Sequence, residues 1–341
     1  MPVNRRKFIS QSACMTAGYF VFTKLNTQAD NKVMTVNGWL AVDKMGFTLT
    51  HEHVLVDFIG ASKVDPSRYD PEEVFRTALP KLLSVKEKGC RTIMECTPKY
   101  IGRDVKLLKR LSAASGLNII TNTGYYGAAQ EKYLPAHAYT ETAEQLSKRW
   151  INEWKNGIDG SGIKPGFIKS GVDNYPLSAV QQKIIEAAAI THLATGLTIG
   201  IHTGGGQAAM EELRIIQSKG VAAEAWIWIH AQNETNRAVH IHAAKEGGWV
   251  SFDGVNADSI STCVQFLKDM KKEGLLDHIL LSHDSGWYHV GEPGGGNYND
   301  YNTIADKLIP AMKENEFTEK EIQQVFIVNP AKAFTVQIRK K

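Results

Sequence analysis

Short apolar or β-branched runs recur along the chain, each ending in polar or small residues and each followed by a longer stretch of helical periodicity. The runs predict strands at 46–53, 91–96, 118–123, 166–169, 197–202, 225–230, 249–252 and 278–284. The amphipathic stretches between them predict helices at 71–88, 104–115, 138–156, 179–195, 207–218, 235–246 and 259–273. Strands that alternate with helices imply a parallel sheet, because parallel neighbours need a crossover connection. Eight such units favour an α/β fold of the closed (β/α)8 TIM barrel type over an open sheet. No low-complexity linker interrupts the alternation, so 30–341 reads as one domain. A doubly wound open sheet would carry a glycine-rich turn after its first strand, where this chain has His51-Glu52-His53. Gly204-Gly205-Gly206 lacks the dinucleotide-binding spacing and reads as a flexible turn.

The ionisable residues are informative because of where they fall. His51 and His53 end the first predicted strand, Lys169 the fourth, His202 the fifth, His230 the sixth and Asp284 the eighth. In a (β/α)8 barrel all C-terminal strand ends meet on one face, so residues distant in sequence converge at the mouth. Residues two apart on a strand point to the same side, which lets His51 and His53 share one ion. Imidazole nitrogens and a carboxylate suit Zn²⁺ or a similar first-row ion, with Mn²⁺ and Co²⁺ as alternatives, and four histidines exceed the needs of one open site. Two divalent ions are therefore expected. Lys169 admits two readings at this point: an ion pair at the barrel mouth, or a neutral amine that takes up CO2 to give a carbamate.

Composition changes this picture little, except at the N-terminus. With 341 residues, 43% hydrophobic and 22% charged, the chain has the make-up of a globular protein. Residues 1–29 join Arg5-Arg6-Lys7-Phe8 to an apolar stretch from Ala13 to Phe22 and end in Thr27-Gln28-Ala29, the plan of a signal peptide of twin-arginine type. That apolar stretch is too short for an ordinary membrane span, and a soluble periplasmic protein without a stable membrane anchor is expected. Arg5, Arg6, Lys7 and Lys24, with no acid among these residues, carry the formal charge from −1 for the remainder to +3 for the whole. No basic patch argues for nucleic acid. Cys90, Cys96 and Cys263 are too scattered for a disulfide framework and read as small buried side chains.

Leu49-Thr50-His51-Glu52-His53, Gly102-Arg103-Asp104, Asn122-Thr123-Gly124-Tyr125-Tyr126, Phe167-Ile168-Lys169, His202-Thr203, His230 and His283-Asp284 occur in an order that resembles the phosphotriesterase family of the amidohydrolase superfamily, its lactonases included. The resemblance runs from about Thr35 to Asn329-Pro330. It implies His51, His53 and Asp284 on a buried metal, His202 and His230 on an exposed one, and carboxylated Lys169 with a hydroxide between them. It further implies that the hydroxide attacks the substrate while Asp284 receives the proton and returns it to the leaving group. Relatives of this kind are often homodimers. The chain departs from the organophosphate hydrolases at Phe252-Asp253-Gly254 and Trp287-Tyr288-His289, so the resemblance fixes the chemistry better than the small-molecule substrate.

Tyr126 matches a position where lactonase-type members set an aromatic against substrate. Asp253, Trp287 and Tyr288 are further candidate substrate contacts, and Arg103 with Asp104 reads as a helix start. The segment 285–302, rich in aromatics and glycine, is expected to lie over the barrel mouth and stack on a sugar ring. Hydrolysis of a lactone, sugar lactones among them, is the expected activity, with a phosphotriester or other ester as the alternative. A non-catalytic sugar-binding barrel is the reading from a different class. His137, His192, His240, His242 and His278 are expected at the surface or as caps.

Overall fold

The computed structural model describes residues 31–341, so the expected signal segment 1–29 lies outside the described residues. The eight expected strands form the wall of a (β/α)8 barrel. Parallel pairing joins Asn122–Thr123, Phe167–Gly171, Ile199–His202, Trp226–Ile229, Trp249–Phe252 and Ile279–Leu281 in chain order. Phe47–Glu52, Cys90–Glu95 and Asn118–Ile120 pair likewise. The third barrel strand is thus interrupted at Thr121, where the Gly166 N–H donates to its carbonyl at 2.8 Å. The seam between the eighth and first strands is closed by the Asp284 N–H donating to the His51 carbonyl (3.0 Å) and the His51 N–H donating to Ser282 Oγ (2.9 Å).

Period-two alternation sorts the strand residues between two cores. Ile227, Ile229, Phe167, Met94, Ile120 and Leu280 share the inner core, whereas Trp226, Trp228, Ile168, Ile93, Ile279 and Leu281 face the helices. Phe167 inside puts Lys169 inside, and Ile199 and Ile201 outside leave His202 inside. The first strand needs one more device, since Leu49 packs with the outer core while His51 and His53 face in. A register shift between Leu49 and Glu52 turns the strand end, as bulges do.

An antiparallel hairpin, Lys32–Thr35 with Gly38–Ala41, precedes the barrel, and Val33 with Val42 and Met45 joins the inner core. The expected helix at 138–156 divides into His137–Thr140 and Ala143–Asn156, because Thr142 and Gln145 form a capping box that starts a new helix. The last helical layer spans 304–314 and 319–334. Asp104 caps its helix as expected, accepting from the Lys106 and Leu107 N–H groups, while Arg103 pairs with both oxygens of Glu153. His240 corrects an expectation, being fully buried rather than at the surface, while His192, also fully buried, serves as one of the expected caps. His192 closes a helix end by donating from Nδ1 to the Leu197 carbonyl at 2.8 Å. Cys90, Cys96 and Cys263 are free and buried. Among the described residues, no helix is long and apolar enough to cross a membrane.

Candidate metal centre

The strand ends bring all six expected ligands to one cavity, lined by His51, His53, Lys169, His202, His230 and Asp284. His51 and His53 direct Nε2 atoms to within 3.2 Å of each other. Asp284 Oδ1 lies 3.0 Å from Nε2 of His53 and 3.5 Å from that of His51. Each ring is set from behind: His51 Nδ1 meets Asp253 Oδ2 at 2.7 Å, and His53 Nδ1 meets Thr97 Oγ1 at 2.8 Å. Because Asp253 takes the proton-bearing Nδ1 of His51, Nε2 is left as a lone-pair donor to an ion.

Asp253 orients the second half of the centre too. Its Oδ1 accepts from the His230 backbone N–H at 2.9 Å and lies 3.2 Å from His230 Nδ1. His230 has φ +65°, so a strained backbone is held where this carboxylate can reach both groups. The His202 and His230 rings meet nearly edge to face at 4.4 Å. Lys169 is fully buried beside them, its Nζ 5.2 Å from the Tyr126 ring centre and donating to the Ser170 carbonyl at 3.2 Å.

Burial pushes the pKa of His51 and His202 down and favours their neutral, ligating forms. Burial acts on His230 in the same sense, but Asp253 and Asp284 outweigh it and raise its pKa. Burial would raise the carboxyls of Asp253 and Asp284; the surrounding histidines reverse this and hold both below the usual carboxylate range. Lys169 is lowered, chiefly by burial, towards the neutral amine.

The donor set fits divalent ions. Asp284 Oδ1 is buried without a hydrogen-bond partner among the described residues, and it faces two imidazole nitrogens. Such a convergence of lone pairs in a low-dielectric site is stabilised by a cation and costly without one. His51, His53 and Asp284 form one such group.

The cavity, about 60 Å³, is otherwise walled by Val56, Phe58, Cys96, Pro98, Ile101, Tyr126 and Trp287. Tyr126 and Trp287 therefore stand where substrate contacts were expected. Asp253 does not: it is fully buried, and its oxygens are occupied by His51 and His230. Tyr288 also departs from expectation. Its strand pairs with Leu55–Val56, and its side chain lines a separate surface groove of about 640 Å³ that contains none of the ligands. The side chains of Tyr298 and Tyr301 are buried against each other at 2.6 Å, and Tyr301 donates to the His53 carbonyl at 2.7 Å, so neither offers a stacking face to a sugar. Thr97, Phe58 and Ile101 were not anticipated. Thr97 follows the second strand end, so the convergence of strand ends on one face would have flagged it.

Comparison with known proteins agrees with this geometry. The sequence profile of the Phosphotriesterase family matches residues 31–334. A phosphotriesterase homology protein from Escherichia coli K12 is 27% identical, covering 86% of this chain and all of its own. An aryldialkylphosphatase from Saccharolobus solfataricus is 27% identical over 85% of this chain and 95% of its own. A solved variant of the organophosphorus hydrolase from Deinococcus radiodurans superposes with a TM-score of 0.79 at 25% identity, covering 92% of this chain and all of its own. A structure from the engineering of organophosphate hydrolysis out of a weak promiscuous lactonase template gives 0.79 and 25% over 89% of this chain and 99% of its own. With its barrel, its convergent ligands and a match along nearly the whole described chain, the protein belongs to the phosphotriesterase family and is a metal-dependent ester hydrolase.

Proposed function

We propose that the protein opens a small, largely apolar lactone, using two divalent ions, zinc by preference, held by His51, His53, Asp284, His202, His230 and a carboxylated Lys169. The observation that carries this reading is a convergence of candidate ligand atoms in a cavity whose remaining lining includes Val56, Phe58, Ile101, Tyr126 and Trp287. A buried amine shifted towards neutrality is the form that takes up CO2, which supports carboxylation of Lys169. Beside the rings of Tyr126 and Trp287 this wall offers the apolar side chains of Val56, Phe58 and Ile101, which directs the choice to an apolar lactone rather than a sugar lactone. Bound at these residues, divalent ions would supply a nucleophile from water near neutral pH and would polarise the scissile carbonyl.

The chain's own groups do the rest. Asp284, whose Oδ1 is turned to His51 and His53, keeps Oδ2 to accept the proton of the attacking water and return it to the leaving alkoxide. Trp287 is anchored by Nε1 donating to the Asp284 carbonyl at 2.7 Å, so its ring forms a fixed wall beside the reacting group. Tyr126 packs on His202 at 5.0 Å between ring centres and gives the cavity a second aromatic wall. Phe58 and Ile101 add apolar surface to the cavity and exclude bulk water from it.

A phosphotriester is the second reading, favoured by the aryldialkylphosphatase and organophosphorus hydrolase among the similar proteins. Purified protein, assayed with zinc and bicarbonate on aliphatic lactones, sugar lactones and phosphotriesters, distinguishes them. The highest kcat/KM is expected on an aliphatic lactone; a higher value on phosphotriesters would reverse the substrate assignment. The arginine pair and apolar stretch of residues 1–29 support export to the periplasm, and a homodimer is the assembly we propose from the family resemblance.

A further inference from the structure

Asp284 is held in a backbone conformation that a non-glycine residue rarely adopts, with φ +57°. Such a conformation persists only where its surroundings over-determine it. The backbone N–H groups of the residues before and after Asp284 are held by one side chain. Glu52 Oε1 accepts from the His283 N–H at 3.1 Å, and Oε2 accepts from the Ser285 N–H at 2.9 Å. Oε1 also accepts from Ser282 Oγ and from His283 Nδ1, both at 2.7 Å. The tautomer follows from the far side of that ring, where His283 Nε2 accepts from the Ile304 N–H at 3.0 Å and so leaves the proton on Nδ1.

Glu52 stands between His51 and His53 but lies outside the cavity that both of them line. Alternation along the strand thus sends two ligands into the cavity and one carboxylate out to the turn that carries the third. We propose that Glu52 is the positioning residue of the reaction, setting Asp284 against His51 and His53 through the peptides at 283 and 285. The inference rests on the proposed role of Asp284.

Glutamine at position 52 keeps the volume and the chain length but has a single acceptor oxygen. Four donors converge on the two oxygens of Glu52, so an amide NH2 there must confront at least one N–H or O–H. The turn then relaxes and Asp284 loses its place.

The test uses the full chain loaded with zinc. It compares Glu52→Gln, His283→Leu, Asp284→Asn and Asn329→Ala by kcat and KM on the best substrate, by zinc release to a chelator without substrate, and by Tm. Asn329 is the control: it is buried at the opposite end of the eighth strand, donating to the Leu276 and Ile279 carbonyls at 2.7 Å. For Glu52→Gln, kcat is expected to fall ~10- to 100-fold with KM nearly constant, the cost of misplacing a reacting group by about an ångström. Zinc release is expected to accelerate ~10-fold, as when a group supporting a ligand is lost.

His283→Leu removes one of the four donors and should move both readouts in the same direction, by less. Asn329→Ala should lower Tm while leaving kcat and zinc release as in the parent. Parental kcat and zinc release in Glu52→Gln, with or without a lowered Tm, would overturn the inference. If Glu52→Gln does not fold, unchanged kcat and zinc release in His283→Leu would overturn it equally. Failure of the underlying reading is separate: it shows as parental turnover in Asp284→Asn.

Discussion

The ring of ligands and the segment that follows Asp284 are neighbours in space and contrast in how they are built. The ligand residues stand at the ends of barrel strands and face inward, and three of the imidazoles are set by a partner behind them, Asp253 for His51 and His230 and Thr97 for His53. The segment 285–302 carries more aromatic surface, yet only Trp287 among its aromatics reaches the cavity. Tyr288 turns to the outer groove, and Tyr298 and Tyr301 serve as buried props under His53. Strand periodicity and barrel closure decide direction at the ring. In the loop, direction is set by turns such as Gly286, where φ is +99° and a Cβ would collide with the His53 carbonyl.

The contrast predicts that ring substitutions damage chemistry and metal retention, whereas loop substitutions separate into wall and prop. The largest effect is expected from Asp284→Asn, which removes the proton acceptor and should lower kcat by about 10³-fold. Near-parental turnover with metals bound would remove Asp284 from the mechanism.

Next comes Glu212, which supports the ring from a helix. Its oxygens lie 2.9 Å from Thr203 Oγ1 and from Trp226 Nε1. Thr203 has one hydroxyl proton for two acceptors at 2.9 Å, Glu212 and the Ile201 carbonyl, and a protonated Glu212 satisfies both contacts by donating to Thr203 Oγ1. Burial raises this carboxyl from 4.5 to about 8. The folded state therefore holds the proton more tightly than the unfolded state. The stability that this contributes is complete below pH 4.5, declines as pH rises and levels off above about 8. Glu212→Gln supplies an N–H to Thr203 and an acceptor to Trp226 at every pH. At pH 8.5 it should be more stable than the parent by up to a few kcal/mol, at ~1.4 kcal/mol per pKa unit, with the difference vanishing near pH 4. Parallel stability curves in urea melts across this range would contradict a neutral Glu212.

Asp253→Asn places an amide NH2 where one of two imidazole N–H groups donates. Metal affinity, measured by competition with a chelator, should weaken ~10- to 100-fold. Unchanged affinity would mean that the rings keep their orientation without this carboxylate. On the loop, Trp287→Ala should raise KM for an apolar lactone ~10-fold through loss of a wall. Tyr301→Phe, a prop, should cost about 1 kcal/mol of stability and leave KM unchanged. If Tyr301→Phe moved KM as much as Trp287→Ala, the division of the loop into wall and prop would fail.

Much of this was legible along the chain because it depends on local repetition. Alternating strands and helices specify a parallel sheet, and ligand-type residues at five strand ends specify one shared face. The helix at 179–195 needed no correction, since its ends are marked by a Ser178–Gln181 capping box and a left-handed Gly196. The N-terminal hairpin and the closing helices 304–314 and 319–334 were not read, because their short or interrupted apolar patterns carry little periodic signal. Asp253 was placed on the correct strand end and given the wrong task, since a carboxylate's partners belong to other strands.

Residue order and periodicity were enough to point to the barrel, to six candidate ligands and to the face on which they meet. They left open which groups stand behind the ligands and which aromatics touch the cavity. Those choices depend on contacts between positions far apart in the chain, such as Glu52 with residues 282–285 or Tyr301 with His53. A side chain's direction in a turn is settled by the backbone angles and neighbours that folding brings to it, and neither has a period that can be read along the sequence.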